Sequence, residues 1–195
     1  MPIALSPYDD AWPGAFADLA RVLEAAIEER AIAIDHIGST AIPGLVAKPV
    51  IDAQVIVASL DERDALTGLF GDAGFDPRPG DWNLRDHVPP GWSGDAGGWS
   101  KFVLGPRELT EPLCNIHVRA SGSPNERYAL LFRDFLRDDP MAREAWGAFK
   151  VRLAASVATL PEYGQVKDPA TDVLMTAAER WATSTGWVTR GSGKR

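Results

Sequence analysis

The segment HIGSTAIPGLVAKPVIDAQ, from His36 to Gln54, constrains the fold of this chain more than any other stretch. Residues 31–37, AIAIDHI, alternate β-branched and smaller side chains and predict a strand, which Gly38 breaks. Residues 49–57 are richer in Val and Ile and predict a second strand with a central place in a sheet. The period of two puts Asp52 and Gln54 of that strand on one face. A carboxylate inside a buried strand is costly unless charged or polar partners satisfy it, so Asp52 is expected to have a task.

Helical patterns surround this pair of strands. Trp12, Phe16, Leu19, Leu23 and Ile27 recur at spacings of three and four, predicting an amphipathic helix with Asp10 as its cap and Pro13 in its first turn. A short helix is expected over residues 61–73, capped by Asp61, with Leu66, Leu69 and Phe70 inward and Gly74 ending it. Residues 76–98 hold many of the Pro and Gly residues and predict an irregular flap. WSKFVLG and EPLCNIHVRA predict two further strands, the second with Leu113, Asn115, His117 and Arg119 on one face and Cys114, Ile116 and Val118 on the other. Ser123-Pro-Asn-Glu126 reads as a capping box opening a helix from Pro124 to about Asp138. Asp139-Pro140 starts another, carried by Trp146, Phe149, Leu153, Val157 and Leu160 to Pro161, and Asp168-Pro169 caps a third with Leu174, Ala178 and Trp181 inward. The expected fold is therefore α/β (α+β): a mixed sheet flanked by helices with a helical C-terminal extension, one domain over residues 1–188, and a disordered basic tail over 189–195.

Charge narrows the function. The 27 carboxylates outnumber the 20 Lys and Arg residues, a net charge of −7, so the chain has no general positive field for a polynucleotide, although one basic cleft for a small anion remains compatible. The single cysteine, Cys114, excludes an internal disulfide and is expected in the core. The start MPIALSPYDDAW lacks the charged and apolar regions of a signal peptide, and no apolar run is long enough to span a membrane, so a cytoplasmic protein without membrane partners is expected.

The chemistry concentrates on the loop and the strand after it. Gly38-Ser39 lets the backbone turn tightly, so that successive amides and the Ser39 hydroxyl can donate to a phosphate; an ordinary strand-to-loop turn is the plain alternative. Twelve residues, 40 to 51, separate Ser39 from Asp52, which is either a Mg²⁺ ligand or the partner of Lys48 or an Arg in a structural ion pair. His36 is expected to hydrogen-bond the loop, and His117 to be either structural or in contact with ligand. Further cation candidates are Lys48, Lys101, Arg127, Arg133, Lys150 and Lys167, although Arg127 and Arg133 also suit solvated helix surface or helix pairing. Trp82, Trp92 and Trp99 either anchor the flap or stack on a base, and His87 has no metal-ligand spacing to another His.

An apolar residue, Gly-Ser, a spacer and a strand carrying Asp together resemble the nucleotidyltransferase superfamily signature. That signature places a second acid two residues beyond Asp52, where this chain has Gln54. More specifically, HIGSTAIPGLVAKPVID, with PYDDAWP before it, NIHVRASGSPNERYALLFRDFLR later, and Tyr163 and Lys167 near the end, resembles the GrpB family over about residues 6–170. The resemblance implies a nucleotidyltransferase-like fold and a kinship with domains fused to dephospho-CoA kinases, and it carries no general reaction. Read from the residues themselves, the candidate catalytic residues are Asp52 and His117, with Asp52 holding Mg²⁺, and the candidate ligand-binding residues are Gly38, Ser39, Thr40, Lys48, Lys101, Arg119, Arg127 and Lys167. The expected ligand is a nucleotide or other phosphorylated small molecule. Three functions compete: nucleotidyl transfer to a small acceptor, noncatalytic nucleotide or CoA-like ligand binding with a regulatory or folding role, and a diverged reaction using His117 as acid or base.

Overall fold

The computed structural model describes residues 3–108 and 113–189. Among these residues the strands are β1 (Ala33–Ile37), β2 (Val50–Val57), β3 (Phe75–Pro77), β4 (Phe102–Pro106) and β5 (Leu113–Ala120). The α-helices are α1 (Trp12–Ile27), α2 (Arg63–Asp72), α3 (Pro124–Asp138), α4 (Pro140–Ser156) and α5 (Leu160–Thr185). Residues 111–112 of the predicted strand EPLCNIHVRA and 190–195 of the expected tail lie outside the described residues. None of the described helices is long and apolar enough to cross a membrane.

The mixed sheet has the order β1-β2-β5-β4-β3. β2 runs parallel to β5, and the other neighbours are antiparallel. β2 is an interior strand as expected, while β5 takes the middle place. One face of these two strands, Ile51, Ala53, Val55 and Val57 beside Cys114, Ile116 and Val118, packs under Trp12, Leu23 and Ile27 of α1 and Leu66 and Phe70 of α2. Burial there pushes the Cys114 thiol up to about 11, which makes it an inert core residue. The opposite face carries Asp52, Gln54, Asn115, His117 and Arg119, in a register that sets Asp52 against Asn115 and Gln54 against His117. A second apolar cluster joins Ile42 and Leu45 of the β1–β2 loop to Leu131 and Phe135 of α3, Trp146 of α4 and Met175 and Ala178 of α5. The loop is thereby built into the C-terminal helices.

Several helix ends differ from the sequence reading. Asp9, not Asp10, accepts from the Ala11 amide before α1, at 2.8 Å. α2 begins at Arg63, because Ser59 and Asp61 bond each other in the turn before it. At α3 the expected capping box does not form: the Ser123 hydroxyl makes no cap bond, and Glu126 accepts from the Gly122 amide, one residue before the cap, at 2.7 Å. Asp139 caps α4 through the Ala142 amide as expected, but the helix ends at Ser156. Thr159 and Glu162 form a full capping box there, so Pro161 sits in the first turn of α5 and does not end α4; Leu160 is correspondingly exposed. α5 then runs through Pro169, which the sequence reading takes as a helix start. Pro169 has no amide hydrogen for the helix ladder, and the burial of Tyr163 before it and of Met175, Ala178 and Ala182 after it keeps one helix continuous. Thr159→Ala is expected to lower stability by about 1 kcal/mol, read as a lower urea midpoint with an unchanged denaturant slope.

Candidate functional site

Gly38 ends β1 with φ 70° and ψ −169°, a conformation that belongs almost solely to glycine. A Cβ at Gly38 would lie 2.5 Å from Oδ2 of Asp52, so the bare backbone is also what admits the carboxylate of the neighbouring strand. Across the parallel pair, the Asn115 side-chain amide donates to Oδ1 of Asp52 at 3.0 Å, and His117 Nε2 lies 3.5 Å from the same oxygen. On its other side, His117 Nδ1 lies 3.5 Å from Lys101 Nζ. An ammonium only donates, so Nδ1 presents its lone pair and the ring proton sits on Nε2, facing Asp52. Burial raises the Asp52 carboxyl, but the His117 and Asn115 bonds and the Lys48 charge outweigh it and hold the group below its ordinary range. Burial foremost lowers His117, with Lys101 and Arg119 adding to the effect and Asp52 opposing it. The Asp52 side chain remains 29% exposed, which leaves the carboxylate within reach of a ligand.

A group of cations faces this carboxylate from the C-terminal helices. Lys150 of α4 is buried and donates to the Ser39 hydroxyl at 2.9 Å and to the Val46 carbonyl. Burial, then repulsion from Lys167 and Lys48, brings its ammonium down to about 7 against an opposing pull from Asp52. Lys48, just before β2, is also lowered, by burial first, with Asp52 opposing and Lys167 adding. Its ammonium lies 5.8 Å from the ring centroid of Tyr163 on α5. Ser39, Lys48, Asp52, Lys150 and Lys167, far apart in sequence, thus converge at the mouth of the β1–β2 loop. The lysines exceed the acid that faces them.

Other predicted residues have different surroundings. Asp86 of the flap accepts from Lys101 at 2.6 Å, from Arg119 Nε at 2.9 Å and from the Asn125 amide at 3.0 Å. Lys101 and Arg119 lie among the buried polar residues, so they act as an internal brace between flap and sheet. The three partners outweigh the effect of burial and hold the Asp86 carboxyl far below its ordinary range. Arg119 also donates to Oε1 of Gln54, which leaves the buried Gln54 Nε2 without a partner. Arg127 is paired with Glu179 of α5, and its guanidinium lies 5.6 Å from the ring centroid of Trp187, a helix clamp away from the loop. Thr40 is buried and bonds the Val50 carbonyl and His36 Nε2, while the His36 ring stacks on Phe16 at 4.6 Å. Burial first brings His36 down to about 4, so the ring is neutral at pH 7 and serves the loop as a structural support.

A family model described as GrpB protein matches residues 2–177. The chain belongs to the GrpB family. A dephospho-CoA kinase of Mycolicibacterium paratuberculosis is 36% identical over 199 residues, which cover 95% of this GrpB chain and 48% of the relative. The UPF0157 protein YqkA of Bacillus subtilis is 30% identical over 175 residues, covering 89% and 46% of the two chains. The GrpB chain thus spans about half the length of these curated relatives. The crystal structure of conserved protein GrpB from Enterococcus faecalis superposes with a TM-score of 0.72 at 25% identity, over 91% of this chain and 99% of that one.

Within this GrpB chain, the roles of Asn115, Asp86, Arg133 and Arg137 escape sequence reasoning, although Arg133 stands among the cation candidates. Asn115 is legible as part of a polar strand face but not as the donor that fixes Asp52. Asp86 lies in a segment without periodicity, and its only signal is that Lys101 and Arg119 on buried strands require a counter-charge. Arg133 and Arg137, one helical turn apart on α3, donate to the carbonyls of His36 and Ala41 and hold the loop in place. The donor set also tests the expected metal. Among the described residues no group of three His, Cys, Asp or Glu side chains could hold an ion. Asp52 suits a Mg²⁺ ion completed by water and ligand phosphates, and does not suit one held by protein alone. Gly38→Ala is expected to lower stability by about 1–3 kcal/mol from the backbone alone and further through the displaced Asp52 carboxylate, measured by chemical denaturation.

Proposed function

We propose that this GrpB chain binds a nucleotide, or a closely related phosphorylated small molecule, with its phosphates on Ser39, Lys48, Lys150 and Lys167 and with a Mg²⁺ ion shared between those phosphates and Asp52. The observation that carries the reading is that Lys150, bonded to the Ser39 hydroxyl, lies in the field of Lys48 and Lys167 beside a single ionised carboxylate. Lysines held in a partly desolvated cleft without an equal number of acids favour an anion, and oxygen-rich phosphates fit the hydroxyl and amide donors of the Gly38-Ser39 turn. Mg²⁺ would neutralise phosphate charge and, where a transfer occurs, stabilise the charge developing on the phosphoryl oxygens.

Binding is better supported than transfer. Gln54, at the position where the nucleotidyltransferase pattern has a second acid, accepts from Arg119 and offers no charge to a second metal. His117 is poorly placed as an acid or base, because Lys101 faces one nitrogen and Asp52 the other. Its role is to position the Asp52 carboxylate. Because some relatives are named dephospho-CoA kinase, a CoA-like ligand belongs among those to be tried.

Thermal denaturation with ATP, CoA, tripolyphosphate and phosphate, each with and without Mg²⁺, checks the reading. At about one hundred times its Kd a ligand adds about 2.7 kcal/mol, a rise in Tm of about 5–10 °C for a chain of this size. A triphosphate shift that requires Mg²⁺ and is lost in Asp52→Asn is expected; no shift with any of these ligands would overturn the reading.

The lysine supplies a pH signature. Lys150 has its ammonium held at about 7, so at pH 8 it is largely neutral in the free protein, and phosphate charge brought beside it must raise that value. Binding at pH 8 is therefore expected to take up a proton, seen as calorimetric heats that depend on buffer ionisation enthalpy. At pH 5.5, where Lys150 is already charged, the Lys150 share of that uptake is absent. Lys150→Met is expected to remove most of the pH 8 uptake and to weaken triphosphate binding.

A further inference from the structure

Trp82 is half-exposed on a short 3₁₀ turn of the flap, Asp81–Asn83, and the turn is fixed in place. Asn83 beside it is buried, the Leu84 carbonyl accepts from the Lys101 amide at 3.0 Å, and the Asp86 amide donates to the Trp99 carbonyl at 2.9 Å. Gly80, at φ 101°, lets the indole fold back against the chain, since a Cβ there would lie 3.0 Å from Trp82 Cδ1. The other flap tryptophans pack on rings: Trp92 meets the buried Trp99 edge-on, and Trp99 meets Tyr128. Trp82 differs in having the ammonium of buried Lys101 over its ring, 5.8 Å from the centroid. A large aromatic surface held rigidly and left half in water is a feature of a binding surface more than of a core.

The sheet places this ring relative to the phosphate cleft. Ser39 follows β1, Asp52 lies on β2, His117 on β5, and Lys101 immediately precedes β4. Lys101 links the Trp82 ring to His117, and His117 reaches Asp52, so one polar strip crosses the sheet from the lysine cluster to the indole. With strands about 4.8 Å apart, β4 lies about 10 Å from β2, the reach of a nucleoside beyond its first phosphate.

We infer that Trp82 is the stacking platform for the aromatic base of the ligand, so that the site takes nucleotides in preference to inorganic polyphosphates or sugar phosphates. This rests on the phosphate site proposed above and adds the second anchor. Stacking on an indole tolerates every base, so the site discriminates the presence of a base more than its identity.

Calorimetric titration of the full chain with Mg²⁺ and either ATP, CTP or tripolyphosphate separates the two anchors. ATP and CTP are both expected to bind more tightly than tripolyphosphate. Trp82→Ala should weaken both nucleotides about tenfold or more while leaving tripolyphosphate within twofold, and Trp82→Phe should restore most of the loss. Retained tripolyphosphate affinity also shows that the variants are folded. Tripolyphosphate binding as tightly as the nucleotides, or nucleotide affinity unmoved in Trp82→Ala, would overturn the platform and leave the phosphate site standing. An equal loss for nucleotides and tripolyphosphate would do the same. Failure of all three ligands to bind the unmodified chain would overturn both.

Discussion

Asp52 points its carboxylate from an interior strand at the bare backbone of Gly38, and the polar face of the sheet is arranged around keeping that charge ionised. Burial alone would favour the neutral acid. Asn115 and His117, both from the parallel neighbour β5, donate to one oxygen, and Lys48 adds charge from the strand's own entrance. The parallel register is what makes this work, because it sets Asn115 opposite Asp52 and His117 one step along the same face. His117 in turn takes its tautomer from Lys101, whose charge is balanced by Asp86. The orientation of one carboxylate therefore depends on a chain of contacts that reaches the flap.

That chain divides the cations into two populations with opposite electrostatic character. Lys101 and Arg119 share Asp86, which cancels one of their two charges and ties both into the brace between flap and sheet. Among the described residues Lys48, Lys150 and Lys167 form no such ion pair; Lys167 and Lys48 add to the burial that lowers the charge on Lys150. Repulsion of the buried Lys150 ammonium by Lys48 and Lys167 is unfavourable in the free protein and would be relieved by an anion of the kind proposed above.

The sequence made the scaffold readable where local chemistry decides structure. The alternation in β5 assigns its two faces correctly, and the Ile- and Val-rich run of β2 marks an interior strand. It misled where one residue type has two meanings. Pro161 and Pro169 are each read as boundaries by local rules, yet the first lies in the opening turn and the second inside one continuous helix, because the Thr159–Glu162 box and the buried Met175, Ala178 and Ala182 govern that helix. The same split runs through the site. Gly38, Ser39 and Asp52 stand out by motif, and Lys150 and Lys167 carry the right charge, but nothing in spacing distinguishes them from Lys101 or Arg127. Only the partners Asp86 and Glu179, supplied by the flap and by α5, separate neutralised cations from unneutralised ones.

The path of the chain also fixes when the site comes into being during synthesis. The carboxylate half, Gly38, Asp52 and its donors on β5, is complete once β5 has been made, whereas Lys150 and Lys167 belong to the last two helices. A nascent chain that has formed its sheet alone surrounds Asp52 with Lys48 and the Lys101–Arg119 brace and still lacks Lys150 and Lys167. Lys150 and Lys167 are added when α4 and α5 pack on the β1–β2 loop through Ile42 and Leu45. Under the proposed binding, a ligand would meet its full set of lysines only after α4 and α5 have packed on the loop.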